Sequence, residues 1–332
     1  MEPQMKAILF DGAGSADVLR LVDAPMPVPR PHDLLVRVHA AGINRADILQ
    51  RQGLYGDRPD YGDSLLPGLE IAGEVVEAGP DAEGFQNGDR VMAIVGGGAY
   101  AEYARVDSRM AMPIPPHLTY VQAAAIPEVF VTAHEAVFHL GGLQAGDWAL
   151  IHAAAGGVGS AAIQLVKAAG AHSVFTASGE MRIARVQEIG GTVGVDYKQQ
   201  DFLDAALEAT HGRGVAVVVD FIGAPYLEPN LRALAEGGRL VQVGALGGTK
   251  ATLPIDLVIH RCLRIVGTVM KSRSFAEKAA MTERFRSRRL AAFAAGELRP
   301  LVDHVFPLEQ AAEAHRSMEA GGNFGKIILA IS

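Results

Sequence analysis

Cysteine is nearly missing from this chain: its 332 residues include one, Cys262. A lone thiol closes no disulfide within the chain and cannot build a zinc site on several thiolates. It is expected as a buried packing thiol. Long apolar runs are missing as well. A membrane span needs about 20 nearly continuous apolar residues. The most apolar region, 148–170, is broken by His152, Gly156, Gly157, Gly159, Gln164 and Lys167. It reads as a buried strand, turn and helix, and no membrane partner is expected. The opening MEPQMKAILFDGAG has no basic segment followed by an apolar core, so a secretory signal is not expected and the expected location is cytoplasmic. Positive charge is in deficit, with 30 Lys and Arg against 37 Asp and Glu, a net −7. That balance argues against a dedicated binder of nucleic acid or anionic membrane.

What is present is an ordinary globular composition, 49% hydrophobic with 38 glycines. At about 100–200 residues per domain, the length suggests two domains, and it suffices for a sizeable core. The first part, to about residue 120, carries short β patterns: Val36 and Val38 alternate with Arg37 and His39, and 71–76 is similar. Pro25, Pro27, Pro29 and Pro31 read as a stiff surface connector. From near residue 122 the pattern becomes strand and helix in alternation. Apolar runs at 149–151, 174–176, 215–219, 240–243 and 265–268 are separated by helical spacing at 160–169, 180–189 and 226–235. That alternation predicts a parallel sheet with helices on both faces. The segments 302–306, 308–320 and 326–331 resume a mixed pattern, which can return to the first domain and make it discontinuous.

The most informative stretch is GDWALIHAAAGGVGSAAIQLVK at 146–167. A strand runs into a turn, Ala154, Ala155, Gly156, Gly157, Val158 and Gly159, and then into a helix. Without Cβ atoms, the glycines let a pyrophosphate approach the backbone, where its charge meets free N–H groups at the positive end of the helix. In this strand–turn–helix frame the reading is dinucleotide binding rather than a plain turn. About 20 residues further on, an Asp or Glu would read the 2′-hydroxyl of NAD. Here stand Ser178, Gly179, Glu180 and Arg182. A hydroxyl and a guanidinium suit a 2′-phosphate, with Glu180 turned away, so NADPH is expected in preference to NADH.

The pattern resembles the quinone oxidoreductase/zeta-crystallin branch of the zinc-free medium-chain dehydrogenase/reductases. The similarity rests on the 146–167 segment and on AAGINRADILQRQGLYG at 40–56, GLEIAGEVVEAG at 68–79 and AAAIPEVFVTAHEAV at 123–137. Through QRQGLYG, DYKQQDF and GGNFGKIIL it looks closest to the p53-inducible quinone reductase subgroup, although that subgroup has a serine where this chain has Gly156. The resemblance implies an α/β fold: a GroES-like β-rich domain (residues 1–122 with 270–332) plus a Rossmann doubly wound parallel sheet (residues 123–269). It places the active site in the cleft between the two. It further implies a catalytic set of Tyr55, Asn44 and Asp47: Asn44 and Asp47 at the cleft floor, Asn44 hydrogen-bonding the coenzyme or the substrate oxygen, and Tyr55 facing the substrate, with a role in holding the loop as the alternative for Asp47. Thr132 would lie beside the nicotinamide ribose and Tyr197 over the adenine phosphate end. Gly244 and Leu246 would lie where the nicotinamide docks, and Asn323 and Lys326 on a C-terminal loop that reaches back to the coenzyme.

Zinc-dependent relatives hold their metal with a Cys and with the His of a GHE motif; this chain has Asn44 and Leu69 there. Neither side chain replaces a thiolate or an imidazole. His134 and His139 are five apart and diverge on a helix, where four is required. No metal is expected. Without a Lewis acid to stabilise an alkoxide, an electron-poor acceptor is the natural partner of a hydride. The expected reaction is NADPH-dependent reduction of a quinone, with an enal or enone as the alternative acceptor. A different class of reading is a non-catalytic NADPH-binding protein, crystallin-like or RNA-binding; its only local support is RFRSRRL at 284–290, which reads better as a solvated helix face. The apolar CLRIVGTVM near 262–270 reads as an edge strand that pairs in a homodimer.

Overall fold

The computed structural model describes residues 3–55 and 64–332; Gly56, which ends the QRQGLYG motif, lies outside the described residues. Fifteen strands follow one another along the described chain. They are β1 (Gln4–Phe10), β2 (Leu19–Pro25), β3 (Asp33–Gly42), β4 (Glu70–Ala78), β5 (Arg90–Ile94), β6 (Tyr103–Asp107) and β7 (Ala111–Pro113). After them come β8 (Trp148–Ile151), β9 (His172–Ala177), β10 (Val193–Asp196), β11 (Val215–Asp220), β12 (Leu234–Gln242) and β13 (Arg264–Gly267). The last two are β14 (Val302–Pro307) and β15 (Lys326–Ala330). The chain divides into two units, Met1–Glu128 with Ser274–Ser332, and Val129–Arg273.

In the first unit, β14-β15-β3-β4-β5-β7 form one sheet with β6 added to β3, and β1 pairs with β2 in a separate antiparallel ribbon. Leu34, Val36 and Val38 of β3 face a core that also takes Ile71, Val75, Val91, Ile327 and Leu329. The C-terminal strand β15 is antiparallel to β3, Ile328 lying opposite Gly42, which explains why the last segment belongs with the first. The proline run connects β2 to β3. The RFRSRRL run lies on the helix Phe275–Ala294, with Phe285 buried and its arginines partly or largely exposed.

The second unit holds six strands in the order β10-β9-β8-β11-β12-β13, every neighbouring pair parallel. Counted along this unit that order is 3-2-1-4-5-6, the doubly wound dinucleotide-binding topology. Its central strands WALI and VAVVVD are nearly continuous apolar runs because helices cover both faces. The expectation for Cys262 fails here. The residue is exposed at φ +52, just past the helix Ile255–His260, and the next side chain, Leu263, enters the core instead.

Candidate active site

In the second unit the chain reverses direction across the sheet at β8, which has β9 on one side and β11 on the other. Ligands of such sheets bind beyond the carboxyl ends of the strands at that switch point. There β8 gives way to the 154–159 turn and the helix Gly157–Ala168. Gly156 is extended (φ −76, ψ 174) and caps the helix with no side chain, so the first helical N–H groups keep no side-chain acceptor. Ala154, Ala155 and Gly159 are buried, whereas Gly156, Gly157 and Val158 keep part of their surface open. A Cβ on Gly159 would sit 2.4 Å from the carbonyl oxygen of Ala153, so this glycine lets helix and turn close on each other. On Gly156 a Cβ would meet only that same oxygen, at an ordinary 3.4 Å. The fold itself does not demand glycine at Gly156.

Because the strands are parallel, the loops after β9, β10 and β12 lie at the same end of the sheet as this turn. After β9, Ser178 Oγ accepts a hydrogen bond from the guanidinium of Arg182, while Glu180 is exposed. No carboxylate takes the place of Ser178. Tyr197, just past β10, is 46% exposed, and its N–H donates to Ala177 O. Gly244 and Leu246 follow β12, and Leu246 is exposed. Their loop is tied to the loop after β11 by Leu246 N–H to Phe221 O, 3.0 Å, and Gly247 N–H to Ile222 O, 2.7 Å. Asp220, absent from the expected set, organises this end: its fully buried carboxylate accepts from the N–H groups of Ile222 and Gly223 and from Gln242 Nε2. A charged residue closing an apolar strand run, VVVD, was its signal. Thr132 lies elsewhere, part-buried on the helix Pro127–His134.

The first unit gathers Asn44, Asp47, Tyr55 and Lys326. Antiparallel pairing brings the end of β3 beside the starts of β4 and β15, so Asn44, Glu70 and Lys326 converge. Lys326 opens a strand rather than sitting on a loop, and it is 3% exposed. Its ammonium donates to Ile43 O (2.6 Å) and Asn44 Oδ1 (2.7 Å), and lies 2.6 Å from Glu70 Oε1. Asn44 Nδ2 also donates to Glu70 Oε1, at 2.9 Å, and Glu70 Oε2 accepts from the N–H of Glu128. Both ends of the Asn44 amide are therefore engaged inside the unit.

Asp47 lies one turn into the helix Arg45–Arg51, where Oδ2 accepts from Asn44 N–H (2.8 Å) and from the Tyr100 hydroxyl (2.9 Å). Among the described residues its buried Oδ1 has no hydrogen-bond partner, nor has Oε2 of Glu128. Burial pushes Asp47 up to about 7. Burial, reinforced by the charge of Glu70, pushes Glu128 up to about 8. A buried carboxyl oxygen without a donor is most stable carrying a proton, so burial biases both groups toward the protonated form. Burial and the nearby Glu128 and Asp47 raise the part-buried Tyr55 phenol too, which keeps it a hydrogen-bond donor. Asn323 is spent on its own turn, Nδ2 donating to Gly325 O at 2.9 Å. Glu70, Tyr100 and Glu128 join this cluster without having been expected; the acid directly after Leu69 was the one available hint.

Together these features define a two-unit α/β protein whose second unit has the dinucleotide-binding sheet topology. Comparison with known proteins agrees. Residues 30–116 match the family model described as alcohol dehydrogenase GroES-like domain, and 157–285 match that described as zinc-binding dehydrogenase. Human quinone oxidoreductase is 30% identical over 98% of this chain and 97% of its own. Its mouse counterpart is 32% identical with the same coverage. A solved structure described as an NAD-dependent alcohol dehydrogenase superposes with a TM-score of 0.88 at 34% identity, covering 99% of this chain and all of the other. The quinone oxidoreductase of Pseudomonas syringae gives 0.87 at 28% identity, covering 98% and 99%. The chain belongs to the medium-chain dehydrogenase/reductase family, whose members are NAD(P)-dependent oxidoreductases.

Proposed function

We propose that this protein catalyses transfer of a hydride from NADPH, in preference to NADH, to a quinone, without a metal ion. The observation that carries the reading is the turn after β8: a glycine-capped helix end at the switch point of a 3-2-1-4-5-6 sheet. Ala154, Ala155, Gly156, Gly157, Val158 and Gly159 would hold the diphosphate, and Ser178 with Arg182 the adenosine phosphate. Tyr197, Gly244, Leu246 and Thr132 would flank the remainder, with Asn323 contributing from its turn. The bound coenzyme supplies the hydride; the protein supplies position and protons.

The donor set at Asn44 supports chemistry without zinc. A fixed ammonium already fills the space between Asn44 Oδ1 and Glu70 Oε1, and a divalent cation beside it would be repelled. Tyr55 would donate to the acceptor oxygen as negative charge develops there, an electrostatic contribution of the oxyanion-hole kind. Asp47 would hold the Asn44 segment in place rather than touch the acceptor. Relatives named quinone oxidoreductase favour a quinone over an enal.

A homodimer and a cytoplasmic location complete the proposal. β13 ends the sheet with Ile265 about two-fifths exposed, as is Val269 just past it, a row of edge groups and apolar side chains that suits pairing with a second copy. Among the described residues no helix is long and apolar enough to cross a membrane.

Stopped-flow mixing of NADPH or NADH with ortho-quinones, para-quinones and unsaturated aldehydes tests the function. Rapid NADPH oxidation by a quinone is expected. Turnover only with the aldehydes would move the protein to alkene reduction, and no oxidation with any acceptor would leave a binding role.

A further inference from the structure

The turn that follows β8 contains a non-glycine residue in a left-handed conformation, Ala153 at φ +48. L-residues avoid this region unless the surroundings hold them there. Here the holding group is one threonine. Thr176, on the neighbouring strand β9, accepts the Ala153 N–H on Oγ1 at 3.2 Å and the Ala154 N–H on its backbone oxygen at 3.0 Å. Its hydroxyl is oriented from behind by His152, whose Nδ1 lies 3.1 Å from Oγ1. The other ring nitrogen lies 2.7 Å from Oδ1 of Asn230.

All three side chains are essentially buried, and His152 packs against Phe202 and Tyr226 with ring centroids 4.7 Å away. Burial lowers the His152 pKa, so the ring is neutral and carries one proton. With Asn230 Oδ1 as acceptor, that proton is on Nε2, and bare Nδ1 accepts the Thr176 hydroxyl proton. The lone pairs of Oγ1 are then directed at Ala153. If the Asn230 amide is turned over, the proton shifts to Nδ1, yet Oγ1 still accepts from Ala153.

We propose that Thr176, oriented by His152 and Asn230, is a positioning residue that pins Ala153 in its left-handed conformation and so sets the shape in which the 154–159 turn receives the coenzyme diphosphate. This rests on the coenzyme reading above. Ala153 is the pivot of the turn: its carbonyl oxygen accepts the Gly156 N–H at 3.0 Å, and the same oxygen is the atom against which Gly159 closes. Rotating Ala153 back to negative φ would swing that carbonyl and the helix end with it. The hydroxyl of Thr176 acts through the backbone and touches no coenzyme atom.

The test is a set of NADPH titrations on wild type, Thr176→Val, Thr176→Ser, Ala153→Gly and the double variant Thr176→Val/Ala153→Gly. Glycine adopts positive φ without help, so it should make the threonine dispensable. Thr176→Val is expected to raise the NADPH dissociation constant about tenfold, as loss of one hydrogen bond allows. Thr176→Ser should stay near wild type, and the double variant should recover most of the lost affinity. In steady state the loss should fall on KM for NADPH and leave kcat nearly unchanged. A Thr176→Val protein that binds as wild type does, or a double variant no better than Thr176→Val alone, would overturn the inference. Should Thr176→Val not fold, Thr176→Ala, smaller and also without the hydroxyl, takes its place in both comparisons. A wild-type protein that binds no NADPH would instead overturn the coenzyme reading, and the inference with it.

Discussion

Lys326 holds its ammonium 2.7 Å from the side-chain oxygen of Asn44. A buried lysine on the last strand thus supplies the positive charge at this corner of the first unit, and Glu70 balances it at 2.6 Å. Lys326→Met would leave Glu70 buried and uncompensated. The loss of one partner of such a pair costs about 3–5 kcal/mol, so a denaturant melt should show a large fall in midpoint. An unchanged midpoint would mean that the pair does not hold β3, β4 and β15 together.

The buried carboxyls make stability pH-dependent in an unusual direction. In the unfolded chain Asp47 and Glu128 titrate near the ordinary ~4, whereas folding raises them to about 7 and about 8. Between those values the folded state keeps protons that the unfolded state has released, so stability is lost as the pH rises through 7 to 8. His315, pushed down to about 3 by burial and by Arg51, and His152, lowered by burial, act oppositely. They cost stability as the pH falls below about 6.5, where the unfolded imidazoles take up protons. Above that point the carboxyls act alone. Melting temperature should fall from about pH 6.5 to 8.5, and Asp47→Asn should flatten the fall. An identical slope in the variant would contradict this assignment.

Gly156 and Gly159 should part company on substitution. At Gly159 a methyl group meets the Ala153 carbonyl at 2.4 Å, and overpacking of this kind costs about 1–3 kcal/mol. Gly159→Ala should therefore lower both the melting temperature and NADPH affinity. Gly156 already has the φ and ψ of an N-cap, with room for a side chain. Serine there should leave stability equal or a few tenths of a kcal/mol higher. Equal damage from both changes would show that the turn is not shaped as described.

Much of the second unit was legible because its strands are apolar runs between helical periods, and because the glycine cluster falls at one point in that alternation. β10 was not, since Val193 and Gly194 are only half-buried and give no apolar run. Cys262 misled because burial was inferred from residue type, whereas the chain reverses there at positive φ and exposes the thiol. In the first unit the motif around Asn44, Asp47 and Tyr55 could be read, but not the partners that fix its electrostatics. Glu70, Tyr100, Glu128 and Lys326 lie far apart along the chain, and only the pairing of β15 with β3 and of β3 with β4 brings them together. For the same reason Lys326 read as a loop residue.

Tyr55 offers a separate handle on the acceptor side. Its phenol stays protonated across the working pH range, so the role proposed for it is donation rather than deprotonation. Tyr55→Phe should lower quinone turnover about 100–1,000-fold and leave the NADPH dissociation constant within error. Unchanged turnover would remove Tyr55 from the reacting site.

The most direct test of the account is a crystal structure of the protein with NADPH bound. The account predicts the diphosphate against the backbone N–H groups at the start of the helix Gly157–Ala168, with the 2′-phosphate beside Ser178 and Arg182. A coenzyme bound elsewhere, with the turn after β8 empty, would contradict it.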